Sequence, residues 1–173
     1  LIETMADMEA SGIRVDKSVL EQVGVELDDK IAALESAIYD KAGKVFNIKS
    51  PKQLGIVLFE DLGIPYPARS KKKTGYSTSV DVLEKLQTDN PIGDILQYRK
   101  ATKLRSTYID GLIALIGDDN RIHPHFNQTV AATGRISCTE PNLQNIPIRD
   151  EYGRNIRKAF VAEDNNHTFI GAD

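Results

Sequence analysis

The stretch DKSVLEQVGVELDDKIAALESAIYDKAG, residues 16–43, decides the character of the first half of this chain. Leu20, Val23, Leu27, Ile31, Leu34 and Ile38 recur at spacings of three and four, which lays one apolar stripe along a helix. Asp16 can accept from the free N–H groups of a first turn, and Gly43 stops the run. The pattern therefore predicts one long amphipathic helix whose stripe needs a partner.

Working outward, Leu1 to Ala10 reads as a short helix ended by Gly12, and Ile13-Arg14-Val15 as an extended segment. Ser50 with Pro51 is an N-cap and first-turn pair, opening a helix through Leu54, Val57, Leu58 and Leu62. Residues 65–79 break the periodicity with Pro65, Pro67, Arg69, Lys71–Lys73 and Thr74-Gly75-Tyr76-Ser77-Thr78-Ser79, a loop expected to move freely at 69–77. Thr78, with Asp81 three residues on, is the expected N-cap of a short helix through Val82, Leu83 and Leu86. A second long helix is expected from Pro91 to Ile116. Two long helices around a compact helical insert pack most simply as an antiparallel pair with the insert at the tip.

After Gly117 the composition changes. Arg121–Thr129, Ala132–Ser137, Lys158–Ala162 and His167–Ala172 read as strands, Glu140-Pro141-Asn142 as a turn, and Gly153–Lys158 as a helical turn. The expected fold class is mainly α over residues 1–117, a long antiparallel helix pair with a helical tip. An incomplete α+β piece follows over 118–173.

A chain of 173 residues, 40% hydrophobic, can bury a real core and does not have the composition of a disordered segment. The net charge of −3 argues against nucleic acid only as an average, because phosphate binding depends on where cations cluster. Cys138 is the single cysteine, so no internal disulfide can form, and a reducing, cytoplasmic compartment is the natural expectation. The first ten residues lack the basic segment of a signal peptide, and no apolar run approaches the roughly 18 residues of a membrane span, so no membrane role is expected. The ends at Leu1 and Asp173 read as cuts in a longer protein.

Four groups of residues carry possible chemistry. Arg69 and Lys71–Lys73 lie beside small hydroxyl donors and Gly75, a setting for phosphate, although composition alone favours a solvated loop tip. Arg99 and Lys103 stand four apart on the second helix, where an anion could sit between them. An ordinary solvated face explains them equally well. Thr133-Gly134-Arg135-Ile136-Ser137 and Pro141-Asn142-Leu143-Gln144-Asn145-Ile146-Pro147-Ile148-Arg149 concentrate fork-shaped donors of the kind that meet minor-groove acceptors, or else a polar turn satisfied by itself. Asp173 follows an apolar run, where a carboxylate can hold a hard cation, although a plain strand-end acid is the simpler reading. His123, His125, Cys138 and His167 match no zinc spacing, and no Gly-rich phosphate loop or Ser-His-Asp set is present.

The blocks Ala132–Ser137 and Pro141–Pro147 resemble family A DNA polymerases. So do Ser50–Leu54, Lys73–Ser79, Tyr98–Lys100, Lys103–Ile109 and Arg154–Phe160, so the resemblance spans the whole chain. It implies a monomeric DNA-directed DNA polymerase of replication and repair, with residues 1–117 as the duplex-gripping thumb and its connecting helix, and 118–173 as the start of the palm. Asn47, Ser50, Thr74, Ser77, Thr78, Ser79, Arg99 and Lys103 would meet phosphates, on a surface that also takes in Lys73, Ser106 and Thr107. Arg135 would enter the minor groove at the primer terminus, with Asn142, Gln144, Asn145 and Arg149 beside it. Asp173 would be the first catalytic aspartate, a ligand of two Mg²⁺ ions, with a dNTP as co-substrate in the complete enzyme. Cys138 stands where the family usually has Ser. One carboxylate cannot hold two metal ions, so the isolated chain is expected to be inactive. Its alternative role is that of an autonomous, non-catalytic DNA-binding module, or of a helical protein-interaction adaptor if the basic residues are incidental.

Overall fold

A computed structural model describes residues 1–67, 75–86 and 91–171. The chain opens with α1 (Ile2–Ser11), ended by Gly12 at φ 61°, and β1 (Ile13–Arg14) follows. The long expected helix is α2 (Lys17–Ala42). Asp16 Oδ1 accepts from the Ser18 N–H at 3.0 Å and the Ser18 hydroxyl at 2.6 Å, so the first turn is capped as the sequence suggests. Gly43, at φ 67°, takes the left-handed backbone that ends it. Then come α3 (Pro51–Ile56), which widens into a π-helical turn at Val57–Asp61, and α4 (Val80–Glu84). The second long helical stretch comprises α5 (Ile92–Lys103), a π-helical segment Leu104–Asp110, and α6 (Gly111–Ile113). The rest is β2 (Arg121–Ile122), β3 (His125–Asn127), β4 (Ser137–Thr139), a 3-10 turn Leu143–Asn145 and α7 (Glu151–Arg157).

Compactness divides the chain along a different line from the change of composition at 117. One unit comprises Leu1–Leu27 with Lys103–Asp173, the other Asp28–Thr102. In the first, β1 pairs antiparallel with β2 (Ile13 with Ile122, Arg14 with Arg121), and β3 with β4 (Phe126 with Cys138). The Val15 and Asp16 N–H groups find the Asn120 and Ala159 carbonyls, so the chain entering α2 is held from two sides. Leu20, Val23 and Leu27 from α2, Ile109 and Leu112 from the second helical stretch, Ile122 and Ile156 are all buried. Burying each such side chain stabilises by roughly 1.5–3 kcal/mol.

The second unit has its own core. Ile38, Ile48, Leu54, Leu58, Phe59, Ile64, Leu83, Ile92, Ile95 and Tyr98 form one buried cluster, with Ile31 and Leu34 packed against it. Here the α2 stripe meets its partner. Lys41 pairs with Asp94 at 2.5 Å, and the Tyr98 pKa is raised by burial first and by the nearby Glu35 charge second, so α2 and α5 run antiparallel within this unit. Phe59, Tyr66 and Tyr76 add a ring cluster with centroids 4.7–5.1 Å apart.

Five expectations are corrected. The N-cap of α4 is Ser79, because Thr78 is drawn inward by Arg99. The expected strand Arg121–Thr129 is split by Pro124, which has no N–H for a ladder. Ala132–Ile136 is a turn instead of a strand, because Gly134 sits at φ 75° and breaks the extended run, so β4 begins only at Ser137. Toward the C-terminus, Lys158–Ala162 makes a single bridge, Phe160 with Val15, and the described residues 167–171 form no strand. An apolar run becomes a strand only where a neighbour takes its hydrogen bonds, and Ile170 stands 90% exposed. Lys71–Lys73, Arg69 and Thr74 lie outside the described residues, as does Asp173.

Candidate nucleic-acid interface

In the unit Asp28–Thr102, the candidate residues fall into two hydrogen-bonded groups. Asn47 Oδ1 accepts from the Lys49 N–H at 3.0 Å, and its own N–H donates to Gln53 Oε1 at 2.8 Å. The Ser50 N–H donates to the Asn47 carbonyl at 3.0 Å, and Ser50 Oγ accepts from the Gln53 N–H at 3.4 Å. Gln53 thus closes a ring with Asn47 and Ser50 at the start of α3. The sequence showed the cap residue but not the reciprocal glutamine.

The second group is Ser77-Thr78-Ser79. The Ser77 N–H donates to the Tyr66 hydroxyl at 2.9 Å, and the Ser77 and Ser79 hydroxyls lie 3.3 Å apart. Thr78 is 5% exposed. Its hydroxyl accepts from Arg99 Nη2 at 3.1 Å and its carbonyl accepts from Arg99 Nη1. Arg99 is half-buried, and loss of water lowers its pKa from the usual guanidinium value. Two residues expected to meet phosphates therefore meet each other.

In the other unit, Lys103, Ser106 and Thr107 are exposed on the second helical stretch. The Ser106 hydroxyl lies 3.5 Å from the Lys103 carbonyl. Arg135 is exposed beside Gly134. Asn142 caps the 3-10 turn, its Oδ1 accepting from the Gln144 N–H at 3.1 Å, while Gln144 Nε2 donates to the Ile136 carbonyl at 3.2 Å. That last bond ties the Arg135 segment to the Asn142–Asn145 segment. Asn145 and Arg149 are exposed. The Cys138 thiol is buried and donates to the Pro141 carbonyl at 3.2 Å, the same task a Ser hydroxyl would perform there.

Three residues that sequence reasoning left without a role hold this segment from behind. The Tyr108 hydroxyl donates to the Asn145 carbonyl at 2.6 Å, and Arg157 Nη2 donates to the Ile146 carbonyl at 3.0 Å. A Cβ on Gly153 would collide with the Pro147 carbonyl and approach its Cβ to 2.8 Å, so only glycine lets α7 come this close. Two successive carbonyls, of Asn145 and Ile146, thereby accept from side chains behind them, while the Asn142, Gln144 and Asn145 residues stay exposed. Tyr108 gave no such signal in the sequence, since it falls on an apolar helix stripe.

Among the described residues no three His, Cys, Asp or Glu side chains gather as a metal would require. The magnesium expectation thus rests on Asp173 alone, which lies outside the described residues. Among the described residues no helix is long and apolar enough to cross a membrane.

The family model for DNA polymerase family A matches residues 17–173. DNA polymerase I of Lactococcus lactis subsp. cremoris is 53% identical, over 93% of this chain and 18% of that protein. DNA polymerase I of Bacillus caldotenax is 51% identical, over 100% of this chain and 20% of that protein. The chain thus spans about a fifth of the length of the curated relatives it matches. Among solved structures, the POL domain of Pol1 from M. smegmatis, in complex with DNA primer-template and dNTP, superposes with a TM-score of 0.82 at 49% identity, covering 92% of this chain and 28% of that one. With matching sequence along nearly all of its length and a matching fold, the chain belongs to DNA polymerase family A.

Proposed function

We propose that this chain supplies the duplex-binding surface of a DNA-directed DNA polymerase, with residues 1–117 as the thumb and its connecting helix and 118–173 as the start of the palm. The observation that carries the reading is the likeness, at 49% identity, to a polymerase domain bound to primer-template and dNTP. The Asn142–Pro147 segment supports it. Backbone carbonyls are used internally there, and exposed Arg135, Asn142, Gln144 and Asn145 offer donors to minor-groove acceptors without reading sequence. Lys103, Ser106, Thr107 and Arg149 would meet backbone phosphates, as would Asn47, Ser50, Lys73, Thr74, Ser77 and Ser79. Asp173 would contribute one carboxylate to the Mg²⁺ site of the complete enzyme, and a single carboxylate cannot hold two ions, so the 173 residues alone would bind duplex without extending a primer.

The test is binding of the chain to a primer–template duplex as a salt titration, with Lys103→Ala and Arg135→Ala alongside. Expected are a steep loss of affinity with salt, a slope reduced by about 0.9 in Lys103→Ala, and a loss in Arg135→Ala confined to substrates with a primer end. A folded chain that ignores duplex at low salt would exclude the reading for these residues acting by themselves. Equal affinity of Arg135→Ala for duplex with and without a primer end would leave only an unspecific DNA-binding module.

A further inference from the structure

Arg99 stands four residues before Lys103, yet its guanidinium donates two hydrogen bonds to Thr78. Both arms of the guanidinium are engaged, one by the Thr78 hydroxyl and one by its carbonyl. That bidentate grip fixes both the side chain and the backbone of one residue. Thr78 lies between Ser77 and Ser79, whose hydroxyls are 3.3 Å apart and exposed in part or in full. The Ser79 N–H turns back to Ser77 Oγ at 3.4 Å, and the Ser77 N–H is held by Tyr66 at 2.9 Å. Without the arginine, a buried threonine carbonyl and hydroxyl would lose their donor, and the segment would lose an anchor from α5.

We infer that Arg99 is a positioning residue for the duplex surface: it acts through Thr78, holding the Ser77 and Ser79 hydroxyls where they meet phosphate, instead of contacting phosphate itself. This rests on the duplex-binding reading above. A direct contact and a positioning role differ in what they do to counterion release. A cation that neutralises a phosphate contributes about 0.9 to the slope of log affinity against log salt, whereas a residue that only arranges neutral donors contributes to affinity at every salt concentration alike.

The deciding experiment is a salt titration of primer–template binding by the chain and by Arg99→Ala, Arg99→Lys, Thr78→Val, Thr78→Ser and Arg99→Ala/Thr78→Val, with the fold of each checked by circular dichroism. For a positioning residue, Arg99→Ala and Arg99→Lys both weaken binding about tenfold with the slope unchanged. Thr78→Val weakens it less, Thr78→Ser keeps wild-type affinity, and the double variant is no weaker than Arg99→Ala alone. The inference is overturned if Arg99→Ala flattens the slope by about 0.9, Arg99→Lys restores it, and Thr78→Val binds as wild type. Were Arg99→Ala to lose its fold, the Thr78→Val and Thr78→Ser pair decides on the same criterion, since the guanidinium keeps its bond to the Thr78 carbonyl. Absence of binding by the folded wild-type chain overturns the duplex reading and this role with it.

Discussion

The Tyr108 hydroxyl donates a 2.6 Å hydrogen bond to the backbone carbonyl of Asn145, 37 residues away, so a helix residue fixes the polar segment that presents Asn142, Gln144 and Asn145. Tyr108 itself is buried, and its ring fills the unit's core while its hydroxyl reaches the loop. Tyr108→Phe keeps the ring and removes only the donor. We expect a loss of about 1 kcal/mol in stability by urea unfolding, toward the low end of the range because Asn145 is exposed and its carbonyl can take up water. Amide exchange of residues 143–147 should quicken more than that of α2. An unchanged unfolding midpoint would show that the bond contributes nothing.

Gly153 offers a sharper test, because two rules oppose each other. In the middle of a helix, Gly→Ala normally gains up to about 1 kcal/mol. At Gly153 the added Cβ meets the Pro147 carbonyl, which is backbone and cannot rotate away. Gly153→Ala should therefore destabilise by about 1–3 kcal/mol, read as a fall in thermal midpoint. A stabilised variant would mean that α7 does not approach Pro147 this closely.

His123 makes stability depend on pH. Its Nδ1 donates to the Glu9 carbonyl at 2.8 Å and its Nε2 lies 2.9 Å from the Asp119 carboxylate. Only the imidazolium donates to both, so the carbonyl of Glu9 first, and Asp119 second, raise its pKa above the usual 6.5. The folded chain thus holds this proton more tightly than the unfolded chain. The stability it contributes is fully present below pH 6.5 and is lost as pH rises through the elevated folded value. Melting temperatures of the wild type and His123→Gln should differ most between pH 5 and 6 and converge at alkaline pH. A constant difference across that range would remove the charged histidine from the account.

Tyr39 provides a spectroscopic check on the other unit. Its hydroxyl donates to Glu35 Oε1 at 2.7 Å, and this bond, helped by burial, pushes its pKa up to about 12. Glu35→Gln removes the negative charge that disfavours tyrosinate. An ultraviolet titration should show one tyrosine ionising at markedly lower pH in the variant. Identical titration curves would mean that the pair does not persist in solution.

Core truncation measures the two units separately. Leu58 is fully buried in Asp28–Thr102, and Leu20 in the other unit. Leu58→Ala and Leu20→Ala should each cost about 2–5 kcal/mol. If the units unfold independently, hydrogen exchange will show each loss confined to its own unit; a single cooperative transition will spread it over both.

Much was legible in the order of residues alone. The apolar spacing from Leu20 to Ile38, the Asp16 and Ser50 caps and the Gly12 and Gly43 stops all lie within a few residues of the backbone groups they act on. Helix geometry is a local rule, and a local rule can be read from a local pattern. The ordered motifs from Ser50 to Phe160 likewise pointed to the family, since a family is recognised from residue order. What the sequence could not decide was which polar groups remain free to meet a ligand. Thr78 looked like a cap, yet its hydroxyl and carbonyl accept from Arg99, 21 residues away. Tyr108 looked like core, yet its hydroxyl anchors Asn145. Thr168–Ile170 had a strand's composition but no strand beside it among the described residues. Each of these outcomes depends on a partner distant in sequence, and a hydrogen bond forms only where folding brings donor and acceptor within about 3 Å. Residue order determines the helices and the ancestry; tertiary structure determines which extended runs become strands and which donors are already used.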